Sequence, residues 1–180
     1  MTDTNISKQR DLGIVAAHNL QPNADSVLHQ MCDDKCKPVT NMTRETFDKM
    51  MFSICSRPAE SGGLILGQKG SNDATDFFFD AGGNITGNSY APDYVTIAKK
   101  LKEEWIPAGI DFKGIAHSHP GKFDRLTPED MTYIRRLLII NPEMPVFLAP
   151  LIIPHEFRMR MMVVFRDNPD IAVEARINFF

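Results

Sequence analysis

Gly114-Ile115-Ala116-His117-Ser118-His119-Pro120, then residues 121–126, then Thr127-Pro128-Glu129-Asp130, is the stretch that decides the fold and the chemistry. It reads as a buried strand stopped by a proline, a short return and the start of a helix. Strand side chains alternate between faces, so His117 and His119 point the same way, about 6.6–7 Å apart along the backbone, with Ser118 turned elsewhere. Pro120 ends the strand because it has no N–H for a ladder. Thr127 suits an N-cap, Pro128 the first helical position and Asp130 the third, where an acid closes a capping box. The helix then runs over Pro128–Ile140 with Met131, Ile134, Leu137 and Leu138 inward. Folded this way, the return brings Asp130 back toward the two imidazoles. Two His and one carboxylate leave a fourth position for water, which is the composition of a catalytic rather than a structural zinc site. With 5 His in 180 residues, a His-x-His followed by Asp at one fixed spacing arises by chance in roughly one such sequence in a hundred.

The rest of the chain supplies a scaffold of the same kind. Phe47, Met50, Met51, Ile54 and Cys55 share one face of a helix that ends before Pro58, with Cys55 in the core. Gly63-Leu64-Ile65-Leu66-Gly67 and Asp76-Phe77-Phe78-Phe79-Asp80 form a hairpin. Asp93 caps a helix with Tyr94, Ile97, Ala98, Leu101 and Trp105 on one face, stopped by Pro107 and Gly109. Residues 112–117 form the histidine strand. Val146–Ile153 and residues 157–165 are strands separated by Pro154-His155-Glu156, where His155 is a turn residue. Arg158 and Arg160 alternate outward, as on an edge strand kept soluble or offered to an acidic tail. Ile171, Val173, Ala175, Ile177 and Phe179 alternate as one final half-buried strand. Phe179-Phe180 either dock into the core or lead into a further segment. The Gly- and Asn-rich residues 81–92 make a mobile rim. The class is α+β, largely antiparallel by its short connections.

Composition narrows the setting. The chain is 43% hydrophobic and 24% charged with a net charge of −3, which gives no electrostatic reason for nucleic acid or a membrane as partner. No run of about 18 apolar residues is present, and the N-terminus lacks a secretory pattern. An odd cysteine count (Cys32, Cys36, Cys55) fits a reducing, cytoplasmic setting. Residues 1–41 keep no period and read as an extension, partly ordered at best, ahead of a domain over 42–180. His29, Cys32 and Cys36 could hold a second metal, but no fourth ligand is near and an incidental origin is the better reading.

Hydrolysis at such a zinc needs a base, and Glu60 in Pro58-Ala59-Glu60-Ser61-Gly62-Gly63 stands where the first helix hands over to a buried strand. Glu60 in E-x-G-G-x-x-x-G, then H-S-H-P, then T-x-x-D, resembles the JAB1/MPN/Mov34 (JAMM) metalloprotease motif, over residues 43–180 and in the manner of stand-alone bacterial JAB-domain proteins. The resemblance implies the MPN (cytidine-deaminase-like) fold, a curved mixed β-sheet flanked by helices. It implies one Zn2+ on His117, His119 and Asp130, and Glu60 as the acid/base. Thr127 stands where the family usually has Ser, whose hydroxyl helps hold the oxyanion. The implied activity is isopeptidase or peptidase hydrolysis at the C-terminus of ubiquitin or a ubiquitin-like modifier, with an activating-enzyme-type partner. Two alternatives stay open: a zinc hydrolase releasing a C-terminal amino acid from a sulfur-carrier protein, and a non-catalytic MPN scaffold.

Overall fold

The computed structural model describes residues 36–57, 60–85 and 90–180. His29, Cys32, Pro58 and the middle of the expected rim lie outside the described residues. Strand β1 (Val39–Met42) straddles the boundary placed at residue 41 and belongs, with everything from Cys36 to Phe180, to one unit. Thr43 caps helix α1 (Arg44–Cys55), its hydroxyl oxygen accepting from Thr46 N at 3.1 Å. Met50, Met51 and Ile54 on that helix pack with Met42, Ile65, Phe77 and Ala116 in the main core, and Cys55 rests half-buried against them. Burial pushes the Cys55 thiol up.

Strands β2 (Gly62–Gln68) and β3 (Asp76–Phe79) form the expected hairpin, and β4 (Asn84–Ile85) pairs with β5 (Tyr90–Ala91). Asp93 caps α2 (Tyr94–Lys100), but the helix then widens into a π turn over Leu101–Trp105. The wider turn carries Trp105 onto Phe78, ring centroids 5.2 Å apart, while Tyr94 faces outward. Strand β6 (Ile110–Ser118), helix α3 (Pro128–Ile140) and strand β7 (Val146–Ile153) follow as a crossover unit. That connection makes β6 and β7 parallel, whereas the other neighbours in the six-stranded sheet, ordered β3-β2-β6-β7-β8-β9, are antiparallel. His155 sits in a short 3-10 turn before β8 (Arg158–Phe165).

Three features depart from the reading of the sequence. Strand β8 is not an edge along its whole length: β9 (Ala172–Glu174) pairs with Met162–Val164 and leaves the half with Arg158 and Arg160 uncovered, yet Arg160 is not offered to an outside acidic tail. Arg160 instead pairs with Glu174 at 3.0 Å and with Asp124 at 3.1 Å, which fastens the loop between His119 and Thr127. The final alternating run is two strands. Ala175 N still donates to Met161 O at 2.8 Å, but Arg176 N donates to Pro38 O and β10 (Arg176–Phe179) runs parallel to β1. Phe179 docks edge-on to Phe47 at 5.4 Å beneath the Arg44 guanidinium. Finally, β6 carries a bulge: Ile65 opposes Gly114 and Leu66 opposes Phe112, leaving Lys113 as the extra residue. The bulge shifts the alternation, so Phe112 and Ile115 pack in one cluster. Gly114 is held to a bare Cα because a Cβ would lie 1.8 Å from Leu148 O on β7.

Among the described residues no helix is long and apolar enough to cross a membrane.

Candidate metal centre

The end of β6 is held from both sides, and that fixes the histidines. His117 pairs with Gly62 on β2 and Leu151 on β7, and His119 N donates to Ile152 O at 3.3 Å. The two side chains are 7% and 3% exposed. Their Nε2 atoms lie 2.9 Å apart. Asp130, at the third position of α3, brings Oδ1 to 3.4 Å from His117 Nε2 and Oδ2 to 3.3 Å from His119 Nε2. Two imidazole nitrogens and a carboxylate within 4.8 Å of one another are three electron-rich donors aimed at one point. That donor set fits a divalent ion of the zinc type, with a further coordination position left over. His119 Nδ1 is buried with no hydrogen-bond partner among the described residues, so packing, including Phe123 at 5.4 Å, sets that ring.

The carboxylate has a second task. Thr127 N donates to Asp130 Oδ2 at 2.7 Å, Thr127 Oγ1 donates to the same oxygen at 2.8 Å, and Asp130 N donates back to Thr127 Oγ1 at 3.1 Å. The capping-box reading and the ligand reading of Thr127-Pro128-Glu129-Asp130 therefore describe the same atoms. Burial alone would raise the Asp130 pKa; hydrogen bonds from His117, His119 and the Thr127 backbone outweigh it and hold the carboxyl well below the usual range.

Glu60 is 7% exposed and stands two residues before β2. It lines a pocket of about 360 Å3 together with His117, His119, Thr127 and Asp130, so all five expected site residues meet there. Ser118, turned away from the histidine face as expected, ties the two segments together: Ser61 N donates to Ser118 Oγ at 3.1 Å and Ser118 N to Ser61 O at 2.9 Å.

The sequence reading missed the tyrosines. All 3 in the chain line this pocket, as Tyr90, Tyr94 and Tyr133. Tyr94 donates to Tyr133 at 2.8 Å across the mouth. The Tyr90 hydroxyl and Asp93 N both donate to the buried Asp80 carboxylate, each at 2.8 Å, so the two ends of the 81–92 segment are fastened beside the site. Burial raises the pKa of both Tyr90 and Tyr133, reinforced by Asp80 and by Tyr94 respectively. The available signal was their scarcity and their position flanking that segment. Tyr90 lies directly on Gly62, where a Cβ would stand 2.5 Å from the ring. Gly62→Ala is accordingly expected to displace the ring and cost about 1–3 kcal/mol. A thermal melt would show this as a fall of several degrees in Tm; an unchanged Tm would contradict the tight ring contact.

No protein-family model matches the sequence, and neither does any curated protein. Solved structures do resemble it. A protein from Desulfitobacterium hafniense, known from its solution structure, is 18% identical with a TM-score of 0.57, over 79% of this chain and 92% of that one. A JAB1/MPN domain protein from Archaeoglobus fulgidus is 17% identical with a TM-score of 0.47, over 77% of this chain and 98% of that one. At such identity the likeness concerns the fold alone. The expected α+β class, a mixed sheet flanked by helices, is the architecture observed.

Proposed function

We propose that this protein is a zinc-dependent hydrolase of the JAB1/MPN type that cuts an amide bond at the C-terminal tail of a ubiquitin-like modifier. The observation that carries the reading is the convergence of His117, His119 and Asp130 donors within 4.8 Å, in the pocket that Glu60 also lines. A complete donor set with two buried histidines, beside a buried acid, favours hydrolysis over a scaffold.

His117, His119 and Asp130 would hold the ion. When bound there, zinc supplies Lewis acidity to a carbonyl oxygen and brings the pKa of a water toward about 7. Glu60, lining the same pocket, would take the proton from an attacking water and return it to the departing amine, the one side chain serving as base and then as acid. Thr127 orients Asp130 through the capping box. For its hydroxyl to donate to the oxyanion as well, the 2.8 Å bond to Asp130 Oδ2 has to open during the reaction. Tyr90, Tyr94 and Tyr133 wall the pocket and limit water around the scissile bond.

The test is incubation of the zinc-loaded protein with ubiquitin and with a ubiquitin-like protein, each carrying a short C-terminal peptide extension. Intact mass is read with and without a chelator. Chelator-sensitive loss of the extension is expected. Release of a single terminal residue from a sulfur-carrier protein, with the ubiquitin-like tails untouched, would move the substrate to that class. A protein that binds one zinc equivalent and cleaves none of these would overturn the activity.

A further inference from the structure

The pocket of about 360 Å3 beside the metal centre has two unlike halves. At one end stand the three metal donors with Glu60 and Thr127. The rest of the lining is Tyr90, Tyr94, Tyr133, Ala91, Pro92 and Ile115, with Glu129 exposed among them. The tyrosine hydroxyls are already engaged, Tyr90 donating to Asp80 at 2.8 Å and Tyr94 to Tyr133 at 2.8 Å. What the three residues leave for a ligand is mainly ring surface. A purely structural cluster buries its rings, but Tyr94 stays 55% exposed at the mouth. Tyr94 and Tyr133 meet edge-on with centroids 6.4 Å apart, a geometry that a further ring can extend. Charge narrows the choice of ligand. The carboxylates of the lining are Glu60, Glu129 and Asp130, and no lysine or arginine lines the pocket, so an acidic side chain meets like charge. Outside the metal end, a lysine ammonium finds only Glu129, which is exposed and screened by water.

We propose that the tyrosine half of the pocket is a specificity subsite for an apolar, ring-bearing side chain of the substrate residue next to the scissile bond. The space is of the size that holds one small ligand group beside the metal centre. Burial of such a side chain against apolar walls separates it from glycine by about tenfold or more in binding. That the ligand is a substrate residue rests on the hydrolase reading; the preference for a ring does not.

Because all 3 tyrosines of the chain line this pocket, ring resonances of tyrosine-labelled protein report on it alone. The N-acetyl amides of phenylalanine, leucine, glycine, lysine and aspartate are titrated into the full-length protein, with zinc and again in chelator. The phenylalanine amide is expected to shift the tyrosine resonances and to bind about tenfold or more tighter than the glycine amide, with leucine between them and aspartate weakest. Tyr94→Ala, at an exposed position, is expected to reduce that preference about threefold or more, read on the two remaining tyrosines. Equal binding of the five amides in both conditions overturns the proposal. So does tightest binding of the lysine or aspartate amide, or a full preference kept by Tyr94→Ala; if that variant does not fold, the wild-type series decides alone. Substrates with phenylalanine or glycine after the modifier tail separate the subsite from the activity. A ring preference in binding with neither substrate cleaved keeps the subsite and fails the hydrolase reading, and cleavage of both with no preference in binding does the reverse.

Discussion

Glu60→Gln is expected to bind zinc as wild type does and to lose about 10²–10⁴-fold in amide hydrolysis. The substitution keeps size and hydrogen-bonding shape and removes only the ability to take up and return a proton. Glu60 is not one of the three converging donors, so the ion has no reason to leave with its charge. The backbone beside it is fixed independently of the side chain, through the bonds between Ser61 and Ser118. Metal content of the purified protein and initial rates on an extended ubiquitin-like substrate separate the two effects. Full activity in the variant would remove Glu60 from the role of base; loss of zinc would make it a ligand instead.

The contrast between Glu60 and the tyrosines marks how far the sequence could be read. The histidines, Asp130 and the start of α3 were legible because each depends on local rules: alternation along a strand, a proline that cannot join a ladder, a Thr-Pro-x-Asp cap. Glu60 was legible only through its motif, since nothing local to Pro58-Ala59-Glu60 says that β2 will lie beside β6. Long-range pairing hid the rest. Ala172 to Phe179 alternate without a break, yet the chain changes partners at Ala175, from β8 to β1, and alternation is blind to which strand is the neighbour. Arg158 and Arg160 do stand on the half of β8 that β9 leaves uncovered, but charge patterning alone does not tell that Asp124, Glu156 and Glu174 of the same chain pair with them. The bulge at Lys113 is the same failure on a smaller scale, because a two-residue period assumes that every residue has a partner opposite. Tyr90 reaches the site only because Gly62 has no side chain, a contact between residues 28 positions apart.

His119→Ala is expected to abolish zinc binding and with it both hydrolysis and a metal-dependent share of stability. Anything that binds only the folded chain stabilises it by mass action, about 2.7 kcal/mol at one hundred times the dissociation constant. For a chain of this size that corresponds to a Tm higher by roughly 5–11 °C in zinc than in chelator. With His119 removed, His117 and Asp130 remain as two donors, too few for a closed site, and melts with and without zinc should coincide. Removal also opens space at a position 3% exposed, so the variant's Tm in chelator should fall below that of wild type in chelator. The informative quantity is therefore the zinc-minus-chelator difference within each protein. A variant that keeps the full difference would show that the ion is held elsewhere, and the assignment of His117, His119 and Asp130 as one metal centre would fail with it.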